Sequence, residues 1–304
     1  MNDGGCRRRA HDRGFIIVAV LWIVLALATF ASIYAAYVVR TADAVGSSDR
    51  RIRAQALFTS ALELTAYRMT AIEKDKRPPA GQFDFRLGRA TVLVGFSSEA
   101  GRIDLNAAPK PLLASLFVTL GARPQDAEGY ADRVLAWRGT AAGNASQDTE
   151  ADAYRSAGLN YAPRHAPFQD VGELWLVLGL PPALVERALP YVTVFSGIPQ
   201  VNVLAAPPLV LAALPGITPE QVNALLEARR SVPDPKAVLA SLEGVRANAT
   251  VEVGRSMRVS VVVRFDDGSR SGADIVMLLT DDDQEPYRIL SWRDDFDQIA
   301  SAGG

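Results

Sequence analysis

The chain has 304 residues, of which 49% are hydrophobic and 22% charged, and it carries a net charge of −2. This balance excludes a disordered chain and gives no electrostatic reason to expect nucleic acid as a partner. A single cysteine, Cys6, and two histidines, His11 and His165, exclude a disulfide framework and a thiolate metal cage.

Arg7, Arg8, Arg9 and Arg13 lead up to Gly14, and Phe15 to Val39 then carries no charge. About 20 apolar residues cross a bilayer as a helix, so 15–39 reads as a spanning segment. An ordinary secretory signal has an apolar core of about 7 to 15 residues, which this run exceeds, although Ala26-Leu27-Ala28 imitates a cleavage site. The leading arginines favour a cytoplasmic N-terminus. Arg40, Arg50, Arg51 and Arg53 on the far side blunt that rule.

Helical periodicity continues past the apolar run. Ala54, Phe58, Ala61, Leu62, Met69 and Ile72 fall on one face at spacings of 3, 4 and 7, with Arg53, Glu63 and Lys74 off it. One helix is therefore expected over 15–78, with a bend at Gly46-Ser47-Ser48 and a stop at Pro78-Pro79. Residues 79–103 hold the alternating stretch GQFDFRLGRATVLVGFSSEA, which predicts a strand pair.

A helical region is expected over 104–230, and it repeats. DLNAAPKPLLASL at 104–116 aligns without gaps on NVLAAPPLVLAAL at 202–214, with six of 13 positions identical, and RVLAWR at 133–138 parallels ALLEAR at 224–229. Each copy reads as a helix–turn–helix with proline in the first turn, where the missing N–H costs nothing. Between them, VGELWLVLGLPPALVERALPYV at 171–192 predicts another helix pair turning at Gly179-Leu180-Pro181. Residues 231–304 are expected to supply the closing strands, with a turn at Asp267-Gly268 and a charged turn at Asp281-Asp282-Asp283.

A basic leader ending in Gly14, an aromatic Phe15 and a long apolar helix resemble the type IV pilin class. Ala19 stands at the fifth position of FIIVAVLW, where most pilins carry glutamate. With GRIDLNAAP, PFQDVGELWLVLGL and VNVLAAPPLVLAALPGI, this resembles the K-type minor pseudopilin of type II secretion, or general secretion pathway protein K, from about Arg13 to Arg293. The resemblance implies an α+β pilin-like fold, a long N-terminal helix on a small antiparallel sheet, with a large all-α helix-hairpin-helix (SAM-like) insertion. It implies a non-enzymatic inner-membrane subunit with a periplasmic globular part. Prepilin peptidase would remove 1–14 after Gly14 and free the amine of Phe15, whose methylation is left open. The implied partners are the I- and J-type minor pseudopilins, the major pseudopilin and the inner-membrane secretion platform, and no nucleic acid. Removal of 1–14 leaves 28 basic and 32 acidic residues and His165 as the one histidine.

Three other chemistries are weighed against this reading. LPGITPEQVNALLEARR at 214–230 has the form of a DNA-binding hairpin, which would point backbone N–H groups at a phosphate. Its turn lacks Lys and Arg, Glu220 sits on the incoming helix, and Arg229 and Arg230 lie about 15 Å away at helical rise. A periplasmic hydrolase using His165 would need a nucleophile and an orienting group, and YAPRHAPF at 161–168 supplies neither. Calcium is implied by the K-type resemblance, in a loop after the first helical unit. Asp148, Glu150 and Asp152 are the candidates there; calcium takes six to eight oxygens, so they begin a site without completing it.

Overall fold

A computed structural model of the chain describes residues 12–139, 144–229, 235–280, 282 and 284–294. The chain divides into two compact units, Met1–Ala56 and Leu57–Gly304. Helix α1, Asp12–Thr70, is helical throughout, including Gly46-Ser47-Ser48, where the sequence suggested a bend.

In the second unit, five antiparallel strands form a sheet in the order β1 (Ala80–Leu87), β2 (Ala90–Ser98), β7 (Ser256–Phe265), β8 (Arg270–Leu279), β9 (Tyr287–Asp294). Phe58, Ala61, Leu62, Thr65, Ala66 and Met69 of α1 are buried. Phe58 meets Trp292 of β9 edge-on at 6.3 Å, and the Arg68 guanidinium lies 4.0 Å from the centre of the Phe83 ring on β1. Val92, Val94, Val259, Val261, Val263, Ile275 and Met277 alternate along β2, β7 and β8 and are buried, as a sheet with one covered face requires. Removing a side chain such as Leu62 from water contributes about 1.5–3 kcal/mol. α1 stops at Thr70, short of the expected Pro78-Pro79. The Thr70 hydroxyl donates back to Ala66 O at 2.9 Å, and a 3-10 turn at Lys74–Lys76 follows where the apolar face has run out.

Between β2 and β7 the chain builds two related helical units. The first opens with β3 (Ile103–Asp104) and continues through α2 (Lys110–Thr119), α3 (Pro124–Trp137) and α4 (Asn144–Ser156). A 3-10 stretch at Val171–Leu176 and α5 (Pro182–Ala188) lead to β4 (Val192–Thr193), which closes the unit by pairing parallel to β3. The second opens with β5 (Val201–Asn202) and runs through α6 (Pro208–Ala212), α7 (Pro219–Ala228), α8 (Pro235–Ala240) and a 3-10 stretch at Glu243–Asn248. It closes with β6 (Ala249–Thr250), parallel to β5. Helical turns thus reach residue 248, past the expected end at 230, and 171–176 is a 3-10 turn where a helix was expected.

The repeat is carried by equivalent hydrogen bonds. Asp104 Oδ1 accepts from the backbone N–H of Asn106 and Ala107 at 2.8 and 3.2 Å, and Asn202 Oδ1 accepts from Leu204 and Ala205 at 2.8 and 3.1 Å. Leu105 N donates to Thr193 O, and its counterpart Val203 N donates to Thr250 O. The aligned arginines close the same ring: Arg138 donates to Leu105 O at 2.8 Å, and Arg229 donates to Val203 O and Ala206 O. Short polar side chains at a strand–helix junction satisfy backbone N–H groups that the helix leaves free.

Candidate functional site: an apolar helix and a two-unit helical insertion

Ile17–Ala35 of α1 is the one segment among the described residues long and apolar enough to cross a membrane, with a mean hydropathy of 2.4. Trp22 and Phe30 are among its widely exposed side chains. The hydroxyls of Thr29 and Ser32 donate four residues back to Leu25 O and Ala28 O at 2.6 and 2.9 Å. Such back-bonding satisfies them inside the helix, which is what a lipid or a helical bundle demands. Gly14 and Phe15 lie in the first turn of α1, and Ala19 brings no carboxylate to this part of the helix. A carboxylate there would be costly in lipid unless paired.

The calcium candidates lie on α4, a helix where a loop was expected. The side chain of Asp148 lies outside the described residues. Asp152 pairs with Arg155, and Glu150 Oε2 stands 3.7 Å from His165 Nε2. Glu150 and Asp152 are two residues apart and leave the helix in nearly opposite directions. No group of three or more His, Cys, Asp or Glu side chains gathers among the described residues.

His165 is half-buried at a positive φ of 49°, and its carbonyl sits against Gly139 so closely that a Cβ there would meet it at 2.6 Å. No serine, threonine or cysteine is hydrogen-bonded to it among the described residues, and its Nδ1 is buried. Sequence reasoning passed over the cluster beside it. Glu173 Oε2 accepts from the Trp137 indole at 2.9 Å, and Glu173 Oε1 accepts from Arg164 at 2.7 Å and Gln169 N at 3.0 Å. Burial alone would raise the Glu173 pKa, and these donors outweigh it and hold the carboxyl below its ordinary value. The tryptophan in the helix and the glutamate 36 residues later carry no local signal that would pair them.

The hairpin before α7 already fills its own helix N-terminus. Thr218 Oγ1 accepts from Gln221 N at 3.3 Å while Gln221 Oε1 accepts from Thr218 N at 3.0 Å, a reciprocal cap. The Glu220 carboxyl is held below its usual range by its own backbone N–H and the Thr218 hydroxyl. An acidic group occupies the place a phosphate would take, and Arg229 is turned inward to the carbonyls of Val203 and Ala206. Arg230 lies outside the described residues.

A helix whose distal part packs on an antiparallel sheet, with a helical insertion between the strands, defines a mixed α and β protein. The comparisons with known proteins sharpen this. The family model described as Type II secretion system (T2SS), protein K matches residues 93–197, from β2 through the first helical unit. A chain of the crystal structure of the GspK–GspI–GspJ complex, from the type 2 secretion system of enterotoxigenic Escherichia coli, has the same fold. It matches with a TM-score of 0.52 and 16% identity over 81% of this chain and 99% of that one. No curated protein matches the chain. The K-type resemblance is borne out over 93–197 by this match, and the shared fold agrees with it.

Proposed function

We propose that the chain is a non-enzymatic K-type minor pseudopilin that caps or initiates the pseudopilus of a type II secretion system. The observation that carries this is the protein K match across 93–197 on a fold shared with a chain of a GspK–GspI–GspJ complex. In this reading 1–14 is a leader cut by prepilin peptidase after Gly14, and 15–39 first spans the inner membrane. The distal part of α1, β1, β2 and β7–β9 form a pilin-like domain in the periplasm, and the helical units at 103–250 form the insertion. The apolar helix then leaves the bilayer sideways and packs against the helices of I- and J-type minor pseudopilins and the major pseudopilin. Ala19 brings no carboxylate to that bundle, which suits a terminal subunit, and the bulk of the insertion would obstruct any subunit stacked above it.

The test replaces the chromosomal copy in the native host with Gly14→Ala. Sequencing the wild-type membrane form should return Phe15 as the first residue, and the variant should stay uncut and stop export of the host's secreted proteins. An uncut variant that restores export overturns the proposal.

A further inference from the structure

The apolar core of the insertion contains only insertion residues. Among the described residues, the cluster built around Leu112, Phe117, Trp137, Leu184 and Leu211 runs from Ile103 to Ala249 and includes no side chain of α1 or of the five-stranded sheet. Apolar packing therefore gives the insertion its own stability and does little to fix it to the sheet. Beside the exposed ion pair of Arg293 and Asp170, 3.8 Å apart, a buried polar cluster joins the two bodies and is centred on one residue.

The chain leaves the sheet after Ser98 and returns before Ser256, and the two crossings meet. Ser98 Oγ donates to Val253 O and accepts from Ala100 N at 3.1 Å. The outgoing crossing is a fully buried 3-10 turn, Glu99-Ala100-Gly101. Gly101 is pressed against the second helical unit, where a Cβ would stand 2.8 Å from the Ala205 carbonyl carbon. Glu99 has no exposed surface, and its carboxylate is divided between the two bodies. From the sheet, Arg258 of β7 donates through Nε to Glu99 Oε1 at 2.7 Å and through its other arm to Asp274 of β8. From the first helical unit, the Thr193 hydroxyl of β4 donates to Glu99 Oε2. Arg102, 3.7 Å from Glu99 Oε1, donates to Pro190 O just ahead of β4.

We propose that Glu99 is the keystone that makes the helical insertion and the sheet one cooperative unit. A buried carboxylate is tolerable only when its partners are all in place, and removing one leaves an uncompensated charge. Glu99 has its full set of partners only while β7 and β4 both hold their positions, so loss of either body strands the charge for the other. This device does not depend on the pseudopilin reading and would stand if that reading fell.

The test is amide exchange on the full chain in detergent micelles. In the wild type the most protected amides of the insertion, in α2 and α5, and of the sheet, in β7 and β8, should exchange at one common slow rate. In Glu99→Gln the two sets should separate by tenfold or more. Should Glu99→Gln fail to fold, Arg258→Lys gives the same reading, because an ammonium keeps the charge and cannot span both carboxylates. Two separate rates already present in the wild type, or a common rate persisting in the folded variant, overturns the proposal.

Discussion

The phenol of Tyr287 donates to Glu63 Oε1 at 2.9 Å, joining the start of the last strand to the flank of α1. About one and a half turns of helix away, Phe58 meets Trp292 of the same strand, so β9 is fastened to α1 near both of its ends. Burial first, and then the hydrogen bond to the Glu63 carboxylate, push the Tyr287 pKa up to about 12. Its folded value lies above the ordinary tyrosine value of about 10, so its contribution to stability is complete below pH ~10. That contribution is lost as pH climbs from there through about 12. Ultraviolet titration should show one phenol ionising near the top of this range, and Tyr287→Phe should remove it.

Gly101 is required by contact, since its φ is not in the left-handed region. Gly101→Ala would drive a methyl to 2.8 Å from the backbone of Ala205, an atom that cannot swing aside. Overpacking of this kind costs about 1–3 kcal/mol. Thermal unfolding should show a lowered midpoint, whereas Gly129→Ala, where a Cβ meets nothing within 4 Å, should not lower it.

Asp104 and Asn202 are equivalent in the two units and face opposite demands. Asp104 Oδ2 accepts from Ser196 Oγ at 3.0 Å and Gly197 N at 2.8 Å, whereas Asn202 Nδ2 donates to Glu252 O at 2.7 Å. Asn202→Asp would set a fully buried carboxylate against a carbonyl oxygen, and Asp104→Asn would set an amide N–H₂ against a backbone N–H. Each should cost about 1–3 kcal/mol in denaturant unfolding, because a buried group loses its partner and meets its like.

Glu173 makes the corner around Trp137 sensitive to acid. Its folded pKa is depressed, so its stabilisation is present above the ordinary carboxylate value and lost as pH falls through the lower folded one. Tryptophan fluorescence should shift in that acidic window. Glu173→Gln should abolish the shift and cost about 2 kcal/mol at neutral pH, the range for hydrogen bonds to a charged group.

The parts legible in the sequence were those with a period or a local rule. The apolar run after Gly14, the β1–β2 hairpin and the Ala-Ala-Pro repeat with its trailing arginines all announce themselves within a few residues. The parallel pairs Ile103–Val192 and Val201–Ala249 do not, because strands of two residues are too short to show alternation. The stretch holding Asp148, Glu150 and Asp152 read as an acidic loop because its charge outweighs its modest helical pattern, yet Tyr154 anchors it as α4 by accepting from Leu178 N at 2.8 Å. The Glu99–Arg258 contact spans 159 residues and has no sequence signal at all.

One consequence follows from the way each helical unit begins and ends on neighbouring strands. With Ile103 beside Val192 and Val201 beside Ala249, each unit is a loop whose neck is already tied. Material can be added or trimmed beyond the knot without disturbing the scaffold that carries it. The first copy, which holds α4 and a long connection that the second lacks, is the longer version of one cassette. Growth at such a place enlarges the helical body while the five-stranded sheet is left as it was.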